Sequence, residues 1–563
     1  MVFRLNRRRY CFLLAAVLAA VFCLPYFSSG FLAVEHDTFF HLSRIQGLAD
    51  AVQRGDLLPA LYPYKNNGFG YASPLFYCDL LLLPFSLLYL AGMPLAWTYK
   101  LVVFCATVFS AYAVIRLLTR VTDDAYAVTA VTAAFVFSNY RITDVYVRGA
   151  LGEMMAIGFL AVIVSALHEL LEKQNSSGSR LLFGGLCGLI FSHNLTFVFG
   201  VVIIIAAVLF YAGRINRRIA ADGITAVVLA FLCTAWFTLP MLEQLGSQQF
   251  ILHYYASSSQ LERYAMPVWK YFANKTVFGF GENTLAADQQ MLVNIGLPIT
   301  VCALLFPFCF LKNKKQPFSR FVGVTWLIGM IFFLLPLDIF PWASMKALRV
   351  IQFPWRLMTP ALVLLTVPSA ALLAKCFRRH TWITLCLCLL IPAEGLVHLT
   401  PAFSRPFGIT SDTAYEDITS GALIDPYYSA SYMRVELAGG DYLPIDAPDF
   451  RTLTPAVRTS DGQPAEADYT KDGTELTVQV TEVPPDGLLI LPLTYYKGYE
   501  YRIGSRVLPA ERSEDAFVAI RVSEPGTVTV RYAGTPLRKC SVAVSLISAA
   551  AALLFYRKKK ASH

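Results

Sequence analysis

His36-Asp37-Thr38-Phe39-Phe40-His41-Leu42-Ser43-Arg44 comes directly after the first long apolar run of this chain, Tyr10 to about Phe27. A helix beginning near Thr38 puts Asp37, His41 and Arg44 at i, i+4 and i+7, on one face. The same helix, 38–54, carries Phe39, Leu42, Ile45, Ala49 and Val52, an apolar stripe that suits a helix lying on a bilayer surface. A carboxylate, an imidazole and a guanidinium then stand together beside a membrane. The other reading of Asp37 is a cap, its carboxylate accepting from the free backbone N–H groups of the first helical turn. The rest of the chain bears on the choice.

The chain has 563 residues, 56% of them hydrophobic and 15% charged, with a mean hydropathy of +0.52. Soluble domains are about a quarter charged, so this is a polytopic membrane protein. Its net charge of +9 is unevenly spread. Residues 401–535 hold 20 acidic and 11 basic side chains, and the basic excess elsewhere sits in short turns between apolar runs. Such a distribution reports membrane topology and excludes a nucleic-acid partner. The twelve cysteines avoid 401–535 and show no zinc spacing, which fits buried, inert thiols.

Apolar runs near 10–28, 97–118, 124–139, 151–171, 181–195, 196–212, 222–240, 291–311, 320–337, 357–376, 381–399 and 539–556 predict about twelve spanning helices. A further run, 75–91, is broken by Pro84. Either 75–91 or 124–139 is a partial membrane element, and the charge of Arg116 and Arg120 favours 75–91. Arg4-Leu5-Asn6-Arg7-Arg8-Arg9 ahead of the first run reads as a retained signal anchor. Arg214 to Arg218, Lys312 to Lys315, Lys375 with Arg378-Arg379, and Arg557 to Lys560 belong in the cytoplasm by the positive-inside rule. Both termini are then cytoplasmic, at a plasma membrane. The outer face receives the first loop 29–74, 139–150, His193-Asn194, the long loop 241–290, 338–356 and the acidic segment 400–538. Within that segment Glu475–Thr481, Ala516–Val522 and Thr527–Tyr532 alternate with period two between Gly/Pro turns, which predicts an antiparallel β-sandwich. The expected division is a transmembrane domain 1–399, an extracytoplasmic β-domain 400–538, and a final helix with a basic tail, 539–563.

Transfer of a sugar from a lipid-phosphate donor needs a carboxylate to deprotonate the acceptor hydroxyl and cationic donors for the departing phosphate. Asp37 fits the base, Arg44 a phosphate clamp, and His41 either role or that of a neutral hydrogen-bond donor. Arg148-Gly149-Ala150-Leu151-Gly152-Glu153 opens the run at 151. Arg148 and Glu153 are either an interfacial ion pair or a second charged group facing the cavity of Asp37; Asp144 is a weaker candidate. His193-Asn194 lies in an apolar context, so both side chains need partners, structural or from the substrate. Gln352-Phe353-Pro354-Trp355-Arg356 reads as interfacial anchoring or as a grip on phosphate or sugar.

These residues, with Gly68-Phe69-Gly70-Tyr71, Pro74-Leu75-Phe76-Tyr77 and Gly440-Asp441-Tyr442-Leu443-Pro444, resemble a family of bacterial polytopic proteins. It carries the name "6-pyruvoyl-tetrahydropterin synthase-related" and is akin to YfhO-type and other GT-C glycosyltransferases. The resemblance implies a GT-C-like fold, a catalytic acid in the first outer loop (Asp37 here), a polyprenyl-phosphate-linked sugar donor, and a cell-envelope glycan or lipid acceptor. His41, Arg44, Arg148, Glu153, His193, Asn194, Gln352 and Arg356 are the expected donor-binding residues. A divalent cation, Mg or Mn, would fall to Asp37 and Glu153. The chain departs from many GT-C enzymes in offering only Asp144 and Glu153 where a second acidic motif is expected. No zinc-spaced histidine triad supports pterin chemistry. The competing classes are a lipid or polysaccharide transporter, which calls for ionisable residues at mid-span, and a non-catalytic envelope assembly protein.

Overall fold

A computed structural model describes residues 7–312, 318–405, 407–410, 415–417, 422–423, 439–450 and 453–561. Residues 4–6 and 313–315 of the expected basic runs, and much of 406–438 in the expected β-domain, lie outside them. The helices are α1 (Arg7–Phe22), α2 (Leu24–Phe27), α3 (Thr38–Gln53), α4 (Ser73–Phe76), α5 (Leu83–Leu90), α6 (Leu95–Leu118), α7 (Ala125–Val136), α8 (Asn139–Thr143) and α9 (Leu151–Leu167). They continue as α10 (Gly178–Ser192), α11 (Asn194–Tyr211), α12 (Arg217–Leu245), α13 (Ile251–Ser258), α14 (Leu297–Lys312), α15 (Arg320–Leu334), α16 (Met358–Cys376), α17 (Thr381–Leu399) and α18 (Pro536–Ala561).

Every predicted apolar run forms a helix. Among the described residues seven are long and apolar enough to cross a membrane alone: Leu95–Leu118, Leu151–Glu172, Asn194–Arg214, Arg217–Leu245, Pro354–Cys376, Thr381–Ser404 and Pro536–Lys559. The others are shorter than the ~20 residues that span a bilayer unaided. The run at 75–91 breaks into α4, a 3₁₀ turn at Leu80–Leu82 and the eight-residue α5. Pro84 lies in the first turn of α5, where its missing N–H costs nothing.

The surface-helix expectation for α3 does not hold. Eleven of its sixteen residues are buried, from Thr38 to Ala51. Its apolar stripe meets α5 and α6, and its opposite side is roofed by the loop that follows. Gly47 faces the ring of Tyr62, and Ser86 of α5 donates to the Ile45 carbonyl at 3.0 Å. A polar face covered by a later segment leaves no mark on helical periodicity.

The C-terminal region is an antiparallel sandwich. One sheet has the order β10 (Arg506–Pro509), β9 (Tyr499–Ile503), β13 (Gly526–Tyr532), β7 (Glu475–Val480), β6 (Ala467–Asp472). The other has β11 (Glu511–Arg512), β12 (Phe517–Arg521), β8 (Leu488–Thr494), β5 (Arg458–Thr459). Leu476, Val478, Val480, Val528 and Val530 point inward from one sheet, against Leu489, Leu491, Val518 and Ile520 from the other. The register Val528↔Val478 and Val530↔Leu476 keeps both valines of β13 on the core face. A third small sheet ties β1 (Leu32–Ala33) in the first loop to β2 (Phe407–Ile409), which is followed by β3 (Tyr415–Asp417) and β4 (Ala422–Leu423).

The loops gather at one end of the helices. The Thr494 amide donates to Phe69 O, Leu252 N to Asp441 O, Asn194 Nδ2 to Phe76 O and Ser259 Oγ to Gln352 O. At the opposite end Arg120 meets Glu169 and Tyr556 donates to Ser179 O. The segments assigned from charge to one membrane face thus share one end of the bundle.

Gly152 fixes how α9 meets this end. A Cβ there would collide with the Tyr77 hydroxyl and lie 2.7 Å from the Ser192 carbonyl. Gly152→Ala should therefore lower stability by about 1–3 kcal/mol. A fall in Tm of the detergent-solubilised protein checks this, with Gly184→Ala, whose Cβ would enter open space, as the control.

Candidate active site

The first loop docks on the start of α9 through its backbone. His36 N donates to Val147 O at 3.2 Å and Asp37 N to Arg148 O at 2.8 Å. Gly149 makes this approach possible, because a Cβ would stand 2.9 Å from Glu35 Cβ, and its φ of +62° suits glycine. The preceding residues, Asp144–Arg148, form a π-helical turn from which Arg148 reaches Glu153 of α9 while Asp144 pairs with Arg141 and Arg148.

Asp37 occupies the N-cap position of α3, yet its carboxylate accepts no capping hydrogen bond. The side chain reaches solvent. Dense surrounding protein raises its pKa above the ordinary carboxylate value; the charges of Arg148 and Arg356 oppose that rise and Glu153 adds to it. His36 stacks on Phe280 of the long loop, 5.0 Å between centroids at 9°.

Behind Asp37 runs a buried series of alternating charge. Arg141 pairs with Asp144 at 3.5 Å, and Arg148 Nη1 donates to Asp144 Oδ1 at 3.0 Å. The same Nη1 lies 2.9 Å from Glu153 Oε2, an ion pair whose N–H is aimed at Asp144 instead. Glu153 Oε1 accepts from the hydroxyls of Tyr140 and Thr359. Arg148 also lies over the Trp355 ring, 4.6 Å away. The expected donor-binding pair Arg148–Glu153 is thus partnered within the protein.

Arg356 differs. Its Nη1 donates to Gln352 Oε1 at 2.6 Å and to Ile351 O at 3.3 Å, its Nε is buried with no acceptor, and among the described residues it has no ion pair. A buried donor without a partner is uncommon and asks for a ligand. Gln352 is the hinge of this arrangement. With φ +63° and ψ −44° it centres a γ-turn closed by Phe353 N donating to Ile351 O at 2.7 Å, a strained conformation of a kind concentrated at functional sites. Gln352 therefore orients Arg356.

The remaining candidates divide. Arg44 is fully buried, with Nε on Asp79 Oδ1 at 2.6 Å, Nη2 on Cys78 O at 2.9 Å and its plane 4.1 Å from the Tyr77 ring. Tyr62 also donates to Asp79. His41 lies between Arg44 Nη1, 3.1 Å away, and the Leu151 amide at 3.2 Å. Burial and the Arg44 charge push its pKa well down, so it adds no cation. His193 accepts the Thr196 amide at Nδ1, which caps α11 and leaves the proton on Nε2. Asn194 is held by Phe76 O at 3.0 Å and Met241 Sδ at 3.4 Å. Arg44 and Asn194 thus hold the scaffold, whereas Asp37 and Arg356 have unspent bonding capacity.

Of the two carboxylates expected to hold a divalent ion, Glu153 has its Oε1 taken by Tyr140 and Thr359 and its Oε2 beside Arg148, and Asp37 reaches solvent; among the described residues no three metal-ligating side chains converge.

Three further acidic residues belong to this end of the molecule. Asp79 anchors Arg44. Asp441 is carried by a loop whose Tyr442 stacks on Phe76 (4.9 Å, 2°) and whose Gly439 faces Phe40. Its side chain reaches solvent at the rim, and its pKa rises to about 6, first from surrounding protein and then from Asp37, with Arg356 opposing. Glu35 is buried, accepts from Tyr26 at 3.1 Å and from Thr38, and is raised by burial to about 7. A lone acid in Phe31-Leu32-Ala33-Val34-Glu35 was the available signal for it.

Two stability predictions follow from these partners. Arg44→Met leaves Asp79 charged and buried and should cost about 3–5 kcal/mol; adding Asp79→Asn should recover part of the lost Tm. Glu35 keeps its proton longer when folded than its ordinary value of 4.5 allows. Its favourable contribution is complete below pH 4.5 and is lost as pH rises through 7, about 3 kcal/mol in all. Glu35→Gln should therefore raise Tm at pH 8 and leave it nearly unchanged at pH 4.

No family model matches the chain. A protein of Lactococcus lactis subsp. cremoris (strain MG1363), described as uncharacterized, is 24% identical over 357 residues, which is 60% of this chain and 55% of that protein. The match therefore spans about half the relative's length. Among solved structures, ArnT from Cupriavidus metallidurans bound to undecaprenyl phosphate is similar with a TM-score of 0.42 and 12% identity, over 68% of this chain and 64% of that one. Arabinofuranosyltransferase AftD from Mycobacteria is similar with a TM-score of 0.45 and 15% identity, over 95% of this chain and 41% of that one. Likeness at these scores gives no residue a role.

Proposed function

We propose that the chain is a membrane glycosyltransferase of GT-C type that moves a sugar from a polyprenyl-phosphate donor to a cell-envelope acceptor on the outer face of the plasma membrane. One observation carries this reading: a carboxylate free of capping bonds, Asp37, and a guanidinium free of ion pairs, Arg356, lie within reach of each other's charge at the end of the helices where the loops gather. The resemblance of the surrounding motifs to GT-C enzymes supplies the substrate class.

In this mechanism Asp37 takes the proton from the acceptor hydroxyl. The acceptor oxygen forms a bond to the sugar's anomeric carbon as that carbon's bond to phosphate breaks, and polyprenyl phosphate leaves with the electron pair. Arg356, oriented by Gln352, receives the phosphate charge. Arg148 holds Trp355 and the rear of the site, and Asp441 at the rim takes the acceptor side. The ionisable groups lie in the first turn of α9, in the 3₁₀ turn Pro354–Leu357 ahead of α16 and in the loops, as surface chemistry requires and mid-membrane transport does not.

Asp37→Asn should abolish transfer without lowering Tm, since the carboxylate caps nothing, and Arg356→Gln should reduce transfer by about 10²-fold or more. Mass spectrometry of envelope glycans from cells making wild-type or variant protein reads both. Identical glycans with Asp37→Asn would rule the reading out. The base works ionised and its pKa is raised, so transfer should decline with falling pH from a point above the usual aspartate range.

A further inference from the structure

Away from the charged site, a trough of about 680 Å³ runs between α10 and α18 over α12. Phe183, Phe191, Leu546 and Leu553 wall it, and it follows α18 from Val542 to Arg557, about 22 Å of helix. These helices belong to the apolar set, so the trough opens toward hydrocarbon. At the end opposite Asp37, Tyr556 donates to Ser179 O at 3.2 Å and packs 5.5 Å from Phe183, pinning α18 to the start of α10. Lys559 is taken there by Asp222. Arg180 and Arg557 also line the trough at this end, are exposed, and among the described residues form no ion pair.

From an apolar channel closed by two uncommitted guanidiniums, we infer a binding site for one anionic glycerophospholipid of the adjoining leaflet. Its acyl chains lie along the trough, and its phosphate sits between Arg180 and Arg557, which suit phosphate through their paired N–H donors. A zwitterionic lipid fills the same apolar wall but brings a cation to the guanidiniums. The lipid clamps the terminal helix to α10 and α12, so its effect is on stability. The site does not depend on the transferase reading.

The test uses the full chain purified in detergent, with phosphatidylglycerol or phosphatidylcholine added at equal mole fraction. Phosphatidylglycerol should raise Tm and stay bound in native mass spectrometry, and phosphatidylcholine should do neither. Arg180→Gln/Arg557→Gln should lose the phosphatidylglycerol shift while keeping the lipid-free Tm. Equal shifts with both lipids, or a full shift in the double variant, would overturn the proposal. Should the double variant not fold, the wild-type comparison of the two lipids decides.

Discussion

A charge taken out of water inside a membrane protein must meet its opposite, and that constraint organises this molecule. Arg141, Asp144, Arg148 and Glu153 form ion pairs in series, with the hydroxyls of Tyr140 and Thr359 closing the far end. The series holds two basic and two acidic side chains. It gives the first loop a rigid shelf, because the carbonyls of Val147 and Arg148 receive the amides of His36 and Asp37. The position of Asp37 therefore depends on side chains more than a hundred residues away.

Against that background the useful distinction among polar residues is whether their bonding capacity is filled. Arg44 has carboxylate, carbonyl and ring around it and works as a structural rivet. Arg356 hangs from a strained turn with its Nε unanswered. Residue type alone does not separate these two arginines; their partners do.

Much of the fold was legible in the chain because periodicity encodes it. Each apolar run became a helix, and Glu475–Val480 and Gly526–Tyr532 became paired strands with the alternation read from their residues. The clusters at 148–153, 193–194 and 352–356 did collect at the end that holds Asp37. Partner choice was not legible. Asp79 lies 35 residues from Arg44 and follows a broken apolar run, so no spacing rule links them. Asp441 reaches the rim only through a loop held by Tyr71, Phe76 and Leu252. The amphipathic pattern of α3 misled for a related reason, since a polar stripe looks the same whether water or a folded-back loop covers it.

The first loop is bonded to residues made far later in synthesis. Asn67 donates to the carbonyls of Phe450 and Leu453, and Lys471 donates to those of Pro63 and Gly68, across separations of 383 to 408 residues. At ordinary elongation rates this loop waits roughly 20–80 s for its partners. During that interval the outer contacts of the loop are unmade, and the cover over α3 is tied down only once residues 450–471 have been made.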